Sequence, residues 1–206
     1  FFHEQLKNNK YYQQIVNYLK ERKINEAAID KFRIGFAPPN NALLAHMRNK
    51  GFTLEILEKA SLAISQNQGF RDLFRDRIMF PIFDVRARVV GFGARIWRSL
   101  SGAPKYINSL ENALYSKRDH LFGLSFAKDD IARENLAIVT EGYLDMIVPF
   151  MAGIKNVVAS LGTALTVEQI RLIKRYTTSV VLLFDSDKAG KAAALRTVDL
   201  LLENDL

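Results

Sequence analysis

Val180-Val-Leu-Leu-Phe-Asp-Ser-Asp-Lys-Ala-Gly190 is the stretch that decides the fold of this chain. The apolar run from Ser179 to Phe184 is rich in β-branched residues and predicts a short strand buried on both faces of a parallel sheet. Lys188 to Glu203 then predicts a helix. Asp185 and Asp187 therefore follow the carboxyl end of a strand, which is where open α/β sheets place their ligands.

A second acid follows another predicted strand. Leu136-Ala-Ile-Val-Thr140 is strand-like and leads into Glu141-Gly-Tyr-Leu-Asp145, where the glycine lets the backbone turn tightly into a helix. Glu141 thus occupies the same kind of position as Asp185. Asp145 lies one turn further along the helix, on the face that carries Glu141.

A third strand is predicted between these two. It is Asn156-Val-Val-Ala-Ser160, and it is followed by Gly162 and a helix from about Thr166 to Arg175. The order of elements is βαβαβα, and right-handed crossovers bring the carboxyl ends of such strands to one edge of the sheet. The acids that follow the first and third strands are therefore expected to converge there.

Carboxylates at such an edge have two explanations. Oxygen ligands of this kind suit magnesium or manganese and not zinc, so Glu141 with the aspartate pair predicts a divalent cation site. An acid at a strand end can instead cap the next helix, because its side chain accepts free backbone N–H groups. For Asp145 alone and for Asp187 alone both explanations stay open, whereas the combination with Glu141 favours the metal.

The amino-terminal part predicts helices followed by strands. Four helical segments are predicted, Glu4 to Lys20, Glu26 to Lys31, Asn41 to Asn49 and Thr53 to Ala60. Two strands follow, Ile78 to Phe83 and Val89 to Trp97, and the turn Asp84-Val-Arg-Ala87 joins them into a hairpin lined with arginines. The predicted fold class is α/β, with a mixed α+β amino-terminal part followed by a parallel βαβαβα sheet flanked by helices.

Charge and composition divide the chain and exclude some classes. Residues 1–133 hold 22 basic and 13 acidic side chains, a net of +9, whereas residues 134–206 hold 7 and 9, a net of −2. We therefore predict two domains with these bounds. The basic charge of the first domain either attracts phosphates without sequence specificity or serves only to keep the surface soluble. The absence of cysteine excludes a disulfide framework and a thiolate zinc site. No apolar stretch is long enough to span a membrane, and the amino terminus lacks a signal-peptide pattern.

The motifs described so far resemble those of a known family. Glu141-Gly-Tyr-Leu-Asp145 followed by Asp185-Ser-Asp-Lys-Ala-Gly190 is similar to the Toprim domain of bacterial primases, topoisomerases and some nucleases. Three further segments resemble the catalytic core of the bacterial replicative primase of the DnaG type. They are Phe74-Arg-Asp-Arg-Ile-Met-Phe-Pro-Ile82, Gly91-Phe-Gly-Ala-Arg95 and Pro104-Lys-Tyr-Ile-Asn-Ser109.

The resemblance implies a DNA-templated RNA polymerase that makes short RNA primers from ribonucleoside triphosphates on single-stranded DNA. Two or more Mg²⁺ or Mn²⁺ ions would be held by Glu141, Asp145, Asp185 and Asp187, of which Glu141, Asp185 and Asp187 are catalytic. Glu141 would act either as a ligand or as a general base. The residues implied to bind template and nucleotide are Arg75, Arg77, Arg95, Lys105, Tyr106 and Lys117.

The same resemblance implies cellular partners and a location. The family works in the bacterial cytoplasm at the replisome, where it meets the replicative helicase through a module that is not in this sequence. Its zinc-binding module is also not in this sequence. A further acidic cluster follows the Asp-x-Asp helix in the family, whereas this chain stops at Leu206, so we expect an incomplete Toprim domain with weak activity of its own or none.

Two positions depart from the family pattern. Ala87 stands where the family usually has glycine, so a left-handed turn residue would be strained there. Phe83 stands where a basic residue is common, which removes one phosphate contact.

Other functions were weighed against primer synthesis. A Toprim nuclease, the main alternative, would use the same acids to activate water, but the basic hairpin and Pro104-Lys-Tyr106 argue against it. A topoisomerase needs strand-gating domains for which the chain has no room. A noncatalytic nucleic-acid-binding module would not need the three acids.

Overall fold

A computed structural model describes residues 1–67, 69–98, 102–161, 164–204 and 206. The chain forms two compact units. The first comprises residues 1–82 and 89–116, and the second comprises residues 83–88 and 117–206. Gly162, which the sequence places after the predicted middle strand, lies outside the described residues.

The first unit has most of its helices before most of its strands, whereas helices and strands alternate in the second unit. The helices are α1 Phe2–Lys7, α2 Tyr12–Lys20, α3 Glu26–Lys31, α4 Ala42–Asn49, α5 Leu54–Lys59, α6 Leu124–Glu134, α7 Tyr143–Met151, α8 Val167–Lys174 and α9 Lys188–Glu203. The strands are β1 Gly35–Ala37, β2 Ala63–Gln66, β3 Gly69–Asp72, β4 Arg77–Phe83, β5 Val89–Ile96, β6 Tyr106–Asn108, β7 Ala137–Thr140, β8 Val157–Ala159 and β9 Val180–Leu183. Lys117–Asp119 forms a single 3₁₀ turn. None of the helices in the described part of the chain has the length and apolar character needed to cross a membrane.

Side-chain caps fix where several helices begin. Thr166 and Gln169 form a reciprocal capping box at the start of α8. Asn25 and Thr53 each accept a backbone N–H at the start of α3 and α5. These caps satisfy donors that have no partner within the helix, so the short helices begin at defined residues.

The sequence predicts one helix from Glu4 to Lys20, but the structure has two helices in this region, α1 and α2. Asn9 separates them, because its side-chain amide donates to the carbonyl groups of Gln5 and Leu6 while its oxygen accepts the N–H of Tyr11. A short polar side chain that bonds the local backbone competes with the helical hydrogen bonds. The single-helix prediction is therefore wrong at this point.

The first unit is built on a four-stranded sheet with the order β1-β4-β5-β6, in which β1 pairs antiparallel with β4, and β5 antiparallel with β6. Every residue of β4 is buried. The predicted hairpin is present, with β4 and β5 as neighbouring strands. Its turn holds Ala87 at φ +60°, the left-handed conformation that the sequence identified as strained for alanine.

The second unit is built on a parallel sheet with the order β8-β7-β9, which confirms the predicted α/β class and the βαβαβα succession. Residues of α6, α8 and α9 join β7 and β8 in one apolar core. Phe83, which replaces the basic residue common in the family, is buried and packs edge-on against Phe126 with ring centroids 5.4 Å apart.

Strand β9 corrects one prediction. The sequence predicts a strand buried on both faces, but β9 lies at an edge of the three-stranded sheet and only Val180 and Leu182 pack against the core. Val181 and Leu183 are 47% and 59% exposed. The prediction was wrong because a run of apolar residues indicates strand propensity but carries no information on what covers each face.

Candidate metal centre and nucleic-acid interface

The parallel sheet brings Glu141 next to the aspartate pair. In the register of β7 and β9, Thr140 lies opposite Leu183, so Glu141 and Asp185 leave the sheet at the same edge. The backbone N–H of Asp185 donates to Oε1 of Glu141 at 2.8 Å. Forty-four positions of sequence separate these residues, and one hydrogen bond joins them. Glu141 therefore holds the loop that carries Asp185.

Gly190 makes this arrangement possible. It lies in the first turn of α9 and is buried. A Cβ atom at this position would lie 2.8 Å from Oε1 of Glu141 and would overlap the carbonyl oxygen of Asp185. A side chain there would displace the backbone and the carboxylate together, so glycine is needed for the close approach of α9 to the acids.

Asp187 is the N-cap of α9. Its Oδ1 atom accepts the backbone N–H of Gly190 at 2.8 Å, and its own backbone is extended. The capping explanation considered for this residue is thus realised in the structure. The residue is exposed, and the cap uses one of the two carboxylate oxygens. The second oxygen can still serve another ligand.

Asp145 lies in the first turn of α7 and is exposed. Its Oδ2 atom would lie 2.8 Å from a Cβ atom built on Gly142, so the carboxylate is turned toward the start of its own helix. A negative charge is favourable at a helix N-terminus, because the unpaired N–H groups there carry partial positive charge.

The four acids do not form a ready metal cluster. Within the described residues, no three or more side chains of His, Asp or Glu are grouped so that they could hold a metal ion. Glu141 and Asp185 are adjacent, Asp187 caps α9, and Asp145 lies on α7. The chemical type of these side chains nevertheless fits magnesium or manganese, because both ions prefer carboxylate oxygens. The hydrogen bonds described above use one oxygen of Glu141 and one of Asp187, so the second oxygen of each carboxylate can still bind a metal ion. The assignment of these acids as ligands stays a prediction.

Arg75 and Arg77 face different surroundings. Arg75 is exposed, whereas Arg77 is only 6% exposed and its Nη1 atom donates to the carbonyl oxygen of Pro104 at 3.0 Å. Burial lowers the pKa of the Arg77 guanidinium, although the Asp76 carboxylate acts against this. Arg77 thus fixes the residue that precedes Lys105, and Lys105 itself is exposed.

Arg95 and Tyr106 contact each other across strands β5 and β6. Arg95 is 8% exposed, and its guanidinium donates to the hydroxyl of Tyr106 and, from Nε at 2.6 Å, to the hydroxyl of Tyr18. Tyr106 is half-buried, with its ring centroid 4.9 Å from Arg95 Cζ. Tyr106, which the resemblance implies to bind template or nucleotide, thus already has Arg95 as a neighbour of its ring.

Lys117 belongs to the second unit and is half-buried in the 3₁₀ turn. Its carbonyl oxygen accepts a hydrogen bond from the side chain of Gln169 at 3.0 Å. The backbone of Lys117 is therefore anchored to the start of α8.

Sequence reasoning missed Gly190 and Tyr18. A glycine three residues after the second aspartate, inside a predicted helix, is a signal for close backbone approach that could have identified Gly190. Tyr18 gave no such signal, because a tyrosine at helical spacing predicts a core residue. Only the fold brings α2 to strand β5.

Family comparisons identify the chain in two consecutive parts. Residues 1–128 match the family model of the DNA primase catalytic core, N-terminal domain. The chain belongs to this family. Residues 135–206 match the Toprim domain, so the primase and Toprim resemblances found in the sequence are both confirmed.

Individual relatives agree with the family assignment. The DNA primase of Clostridium acetobutylicum is 44% identical over 189 residues, which cover 90% of this chain and 31% of that protein. A crystal structure of the Aquifex aeolicus primase, with zinc-binding and RNA polymerase domains, matches 100% of this chain and 50% of its own at a TM-score of 0.91 and 39% identity. A structure of the DnaG primase catalytic domain bound to single-stranded DNA matches 99% of this chain and 63% of its own at a TM-score of 0.86 and 36% identity. The chain spans about a third of the length of the curated relatives it matches.

Proposed function

We propose that this chain carries the catalytic core of a DNA primase, which makes short RNA primers on single-stranded DNA from ribonucleoside triphosphates. The observation that carries the proposal is the succession of a primase N-terminal domain and a Toprim domain along one chain. A Toprim domain alone is also compatible with a nuclease or a topoisomerase. The primase N-terminal domain that precedes it favours primer synthesis. Residues 1–133 and 134–206 are proposed to act as its two domains.

The proposed metal ligands are Asp185, Asp187, Glu141 and Asp145. Divalent metals are general in Toprim primases. When bound, Mg²⁺ or Mn²⁺ would lower the pKa of the attacking 3′-hydroxyl and offset charge on the departing pyrophosphate. Glu141 positions the Asp185 loop through its hydrogen bond and uses its second oxygen either as a ligand or to take the hydroxyl proton.

The proposed contacts to template and nucleotide come from the basic positions Arg75, Arg77, Arg95, Lys105 and Lys117, with Tyr106. Arg75 and Lys105 are exposed and offer direct phosphate contacts, Arg95 offers its remaining N–H groups, and Arg77 acts through Pro104. A single-stranded DNA template is supported by a related primase catalytic domain, which was solved bound to single-stranded DNA. The further partners proposed are the RNA primer and, through a module outside this sequence, the replicative helicase in the bacterial cytoplasm.

Primer synthesis tests the proposal directly. The protein is incubated with single-stranded DNA, labelled ribonucleoside triphosphates and either Mg²⁺ or Mn²⁺, and wild type is compared with Asp185→Asn and Glu141→Gln. Asp199→Asn is the matched control, because Asp199 is also an exposed aspartate and lies further along α9. We expect RNA products from wild type and from the control only.

Two results would contradict the proposal. Degradation of the DNA without RNA synthesis would assign the site to a nuclease. RNA synthesis that persists in Asp185→Asn and Glu141→Gln would remove these acids from the reaction. Calorimetric titration with Mn²⁺ adds a readout besides activity, since Asp185→Asn should weaken Mn²⁺ binding and Asp199→Asn should not.

A further inference from the structure

Cations and aromatic rings alternate between the end of helix α2, strand β5 and the start of strand β6 in the first unit. Arg22 Cζ lies 3.7 Å from the ring centroid of Tyr18, and Arg95 Cζ lies 5.7 Å from the same centroid. Arg95 Cζ is also 4.9 Å from the Tyr106 centroid, which is 6.0 Å from Nζ of Lys105. We refer to these five residues as the cation–aromatic ladder. It connects α2 to residues proposed to bind phosphate.

Tyr18 holds Arg95 by its hydroxyl group. Arg95 Nε donates to this hydroxyl at 2.6 Å, and the hydroxyl in turn donates to the carbonyl oxygen of Ile96 at 3.3 Å. The Arg95 guanidinium is therefore held at two of its nitrogens, Nε by Tyr18 and Nη1 by Tyr106. Both partners are phenol hydroxyl groups and not carboxylates, so they orient the guanidinium without forming an ion pair of the kind an acidic side chain provides.

Arg95 differs in this respect from Arg98. Arg98 donates to the Asp76 carboxylate from Nε at 2.8 Å, and so has an anionic partner. In the part of the chain that the structure describes, no carboxylate forms such an ion pair with Arg95, although Arg95 is only 8% exposed. Burial acts to lower the pKa of the Arg95 guanidinium, but its contacts with Tyr106 and Tyr18 outweigh burial and raise this pKa, so Arg95 remains a cation that an anionic phosphate can bind. The hydrogen bonds to the two tyrosines use two of the five N–H donors of the guanidinium, which leaves three for an anion.

We propose that Tyr18 is a positioning residue that aims the Arg95 guanidinium at a phosphate group during primer synthesis. The phosphate belongs either to the single-stranded template or to the incoming nucleotide. Arg22 contacts the Tyr18 ring with Cζ 3.7 Å from its centroid and donates to the Tyr18 carbonyl oxygen at 3.1 Å, so the ring packs against a second cation. The inference rests on the proposed function, because it assigns Arg95 to phosphate binding.

A double-mutant cycle separates positioning from a general effect on stability. Tyr18→Phe keeps the ring and its packing but removes the hydroxyl, and it is combined with Arg95→Gln. The matched control is Tyr12→Phe, a half-buried tyrosine on the same helix whose hydroxyl has no described contact with Arg95. Thermal denaturation establishes that all variants are folded.

Binding is measured by fluorescence anisotropy with labelled oligo-dT at several KCl concentrations and by calorimetry with ATP. We expect Tyr18→Phe to weaken binding about fivefold, because a hydrogen bond to a charged group is lost. Arg95→Gln should weaken binding further and, for a strand contact, lower the magnitude of the salt slope by about 0.7, the value for one single-strand phosphate. Tyr18→Phe should change nothing once Arg95 is replaced. Weakened binding of oligo-dT assigns the phosphate to the template, and weakened binding of ATP assigns it to the nucleotide.

Three results would overturn the inference. The first is a Tyr18→Phe effect of the same size in the Arg95→Gln background, because Tyr18 would then act independently of Arg95. The second is an equal loss of affinity in Tyr12→Phe. The third is unchanged affinity for both oligo-dT and ATP in Arg95→Gln, which would remove the contact that Tyr18 is inferred to position. None of these results affects the test of polymerisation at Asp185 and Glu141, so the two proposals fail separately.

Discussion

Asp187 has an observed structural contact and a proposed catalytic one, and substitution can separate them. Asn at this position keeps an oxygen that can cap α9 but removes the negative charge, whereas Ala removes both. We expect Asp187→Asn to retain stability and lose primer synthesis. Asp187→Ala should lose synthesis and about 1 kcal/mol of unfolding free energy, which corresponds to a midpoint lower by about 2–4 °C in a chain of this size.

Thermal denaturation and primer synthesis of the two Asp187 variants provide the measurement. Equal loss of stability in both variants would show that the charge, and not the cap, stabilises α9. Synthesis at the wild-type level in Asp187→Asn would remove Asp187 from the metal site.

The orientation and surroundings of individual side chains were harder to predict than the secondary structure in which the residues lie. Arg75 and Arg77 are two apart, a spacing that would give them one orientation on a regular strand. Asp76 between them has φ +52°, so the strand begins only at Arg77 and the two arginines face different surroundings. Unlike Ala87, Asp76 stands in no predicted turn that would have indicated its positive φ. The inward position of Arg77 could therefore not be predicted.

The β4–β5 hairpin contains a strained element that one substitution can relieve. Ala87 has φ +60°, which costs an L-residue about 1–2 kcal/mol, whereas glycine pays only the added unfolded-state entropy of about 0.4–1 kcal/mol. We expect Ala87→Gly to raise the free energy of unfolding by about 0.5 kcal/mol, measured by urea denaturation. Ala45→Gly is the control, since the same change at an exposed position of helix α4 should lower stability by about 1 kcal/mol. Destabilisation by Ala87→Gly would mean that the turn is not strained.

The start of helix α4 depends on a buried acid. Asp72 is 1% exposed, and its carboxylate accepts the backbone N–H groups of Leu43 and Leu44 at 3.0 and 2.9 Å. Burial raises the pKa of Asp72 above the usual aspartate value of 3.8, although these hydrogen bonds act against the shift. Because the folded-state pKa is the higher one, ionisation of Asp72 costs stability. The cost grows as the pH rises from 3.8 to the folded-state pKa and is constant above it.

Urea unfolding of wild type and Asp72→Asn between pH 3.5 and pH 7 measures this effect. We expect the stability of wild type relative to the variant to fall as the pH rises through that window. Asp84→Asn gives the opposite sign. Despite some burial, hydrogen bonds from Arg88 and Arg86 lower the pKa of Asp84, so its contribution is present above 3.8 and is lost as the pH falls below that value, which an extension of the series to pH 2 measures. A profile for Asp72→Asn that rises with pH would contradict the assignment of burial as the dominant cause.

At the scale of the whole molecule, the parallel sheet was the most predictable part. Three short apolar runs, each followed by a helical pattern, allow few other topologies, and the adjacency of Glu141 and Asp185 follows from the order β8-β7-β9. The exposure of Val181 and Leu183 did not follow, because it depends on neighbouring elements and not on the strand itself. The Tyr18–Arg95 contact was also beyond prediction, since it joins residues 77 positions apart on a helix and a strand.

The uneven charge of the chain predicts how it binds nucleic acid. Residues 1–133 carry a net charge of +9, and binding that depends on phosphate contacts releases counterions, so affinity should fall steeply with salt. With about four phosphates contacted, the plot of log K against log salt for single-stranded DNA should have a slope of about −3.

Lys105→Ala should reduce the magnitude of this slope by about 0.7. Lys50→Ala is the control and should leave the slope unchanged, because Lys50 is also an exposed lysine of the first unit but is not among the proposed phosphate contacts. Fluorescence anisotropy at 50–300 mM KCl makes the measurement. A flat salt response of wild type, or equal slopes for the two lysine variants and wild type, would exclude Lys105 as a phosphate contact.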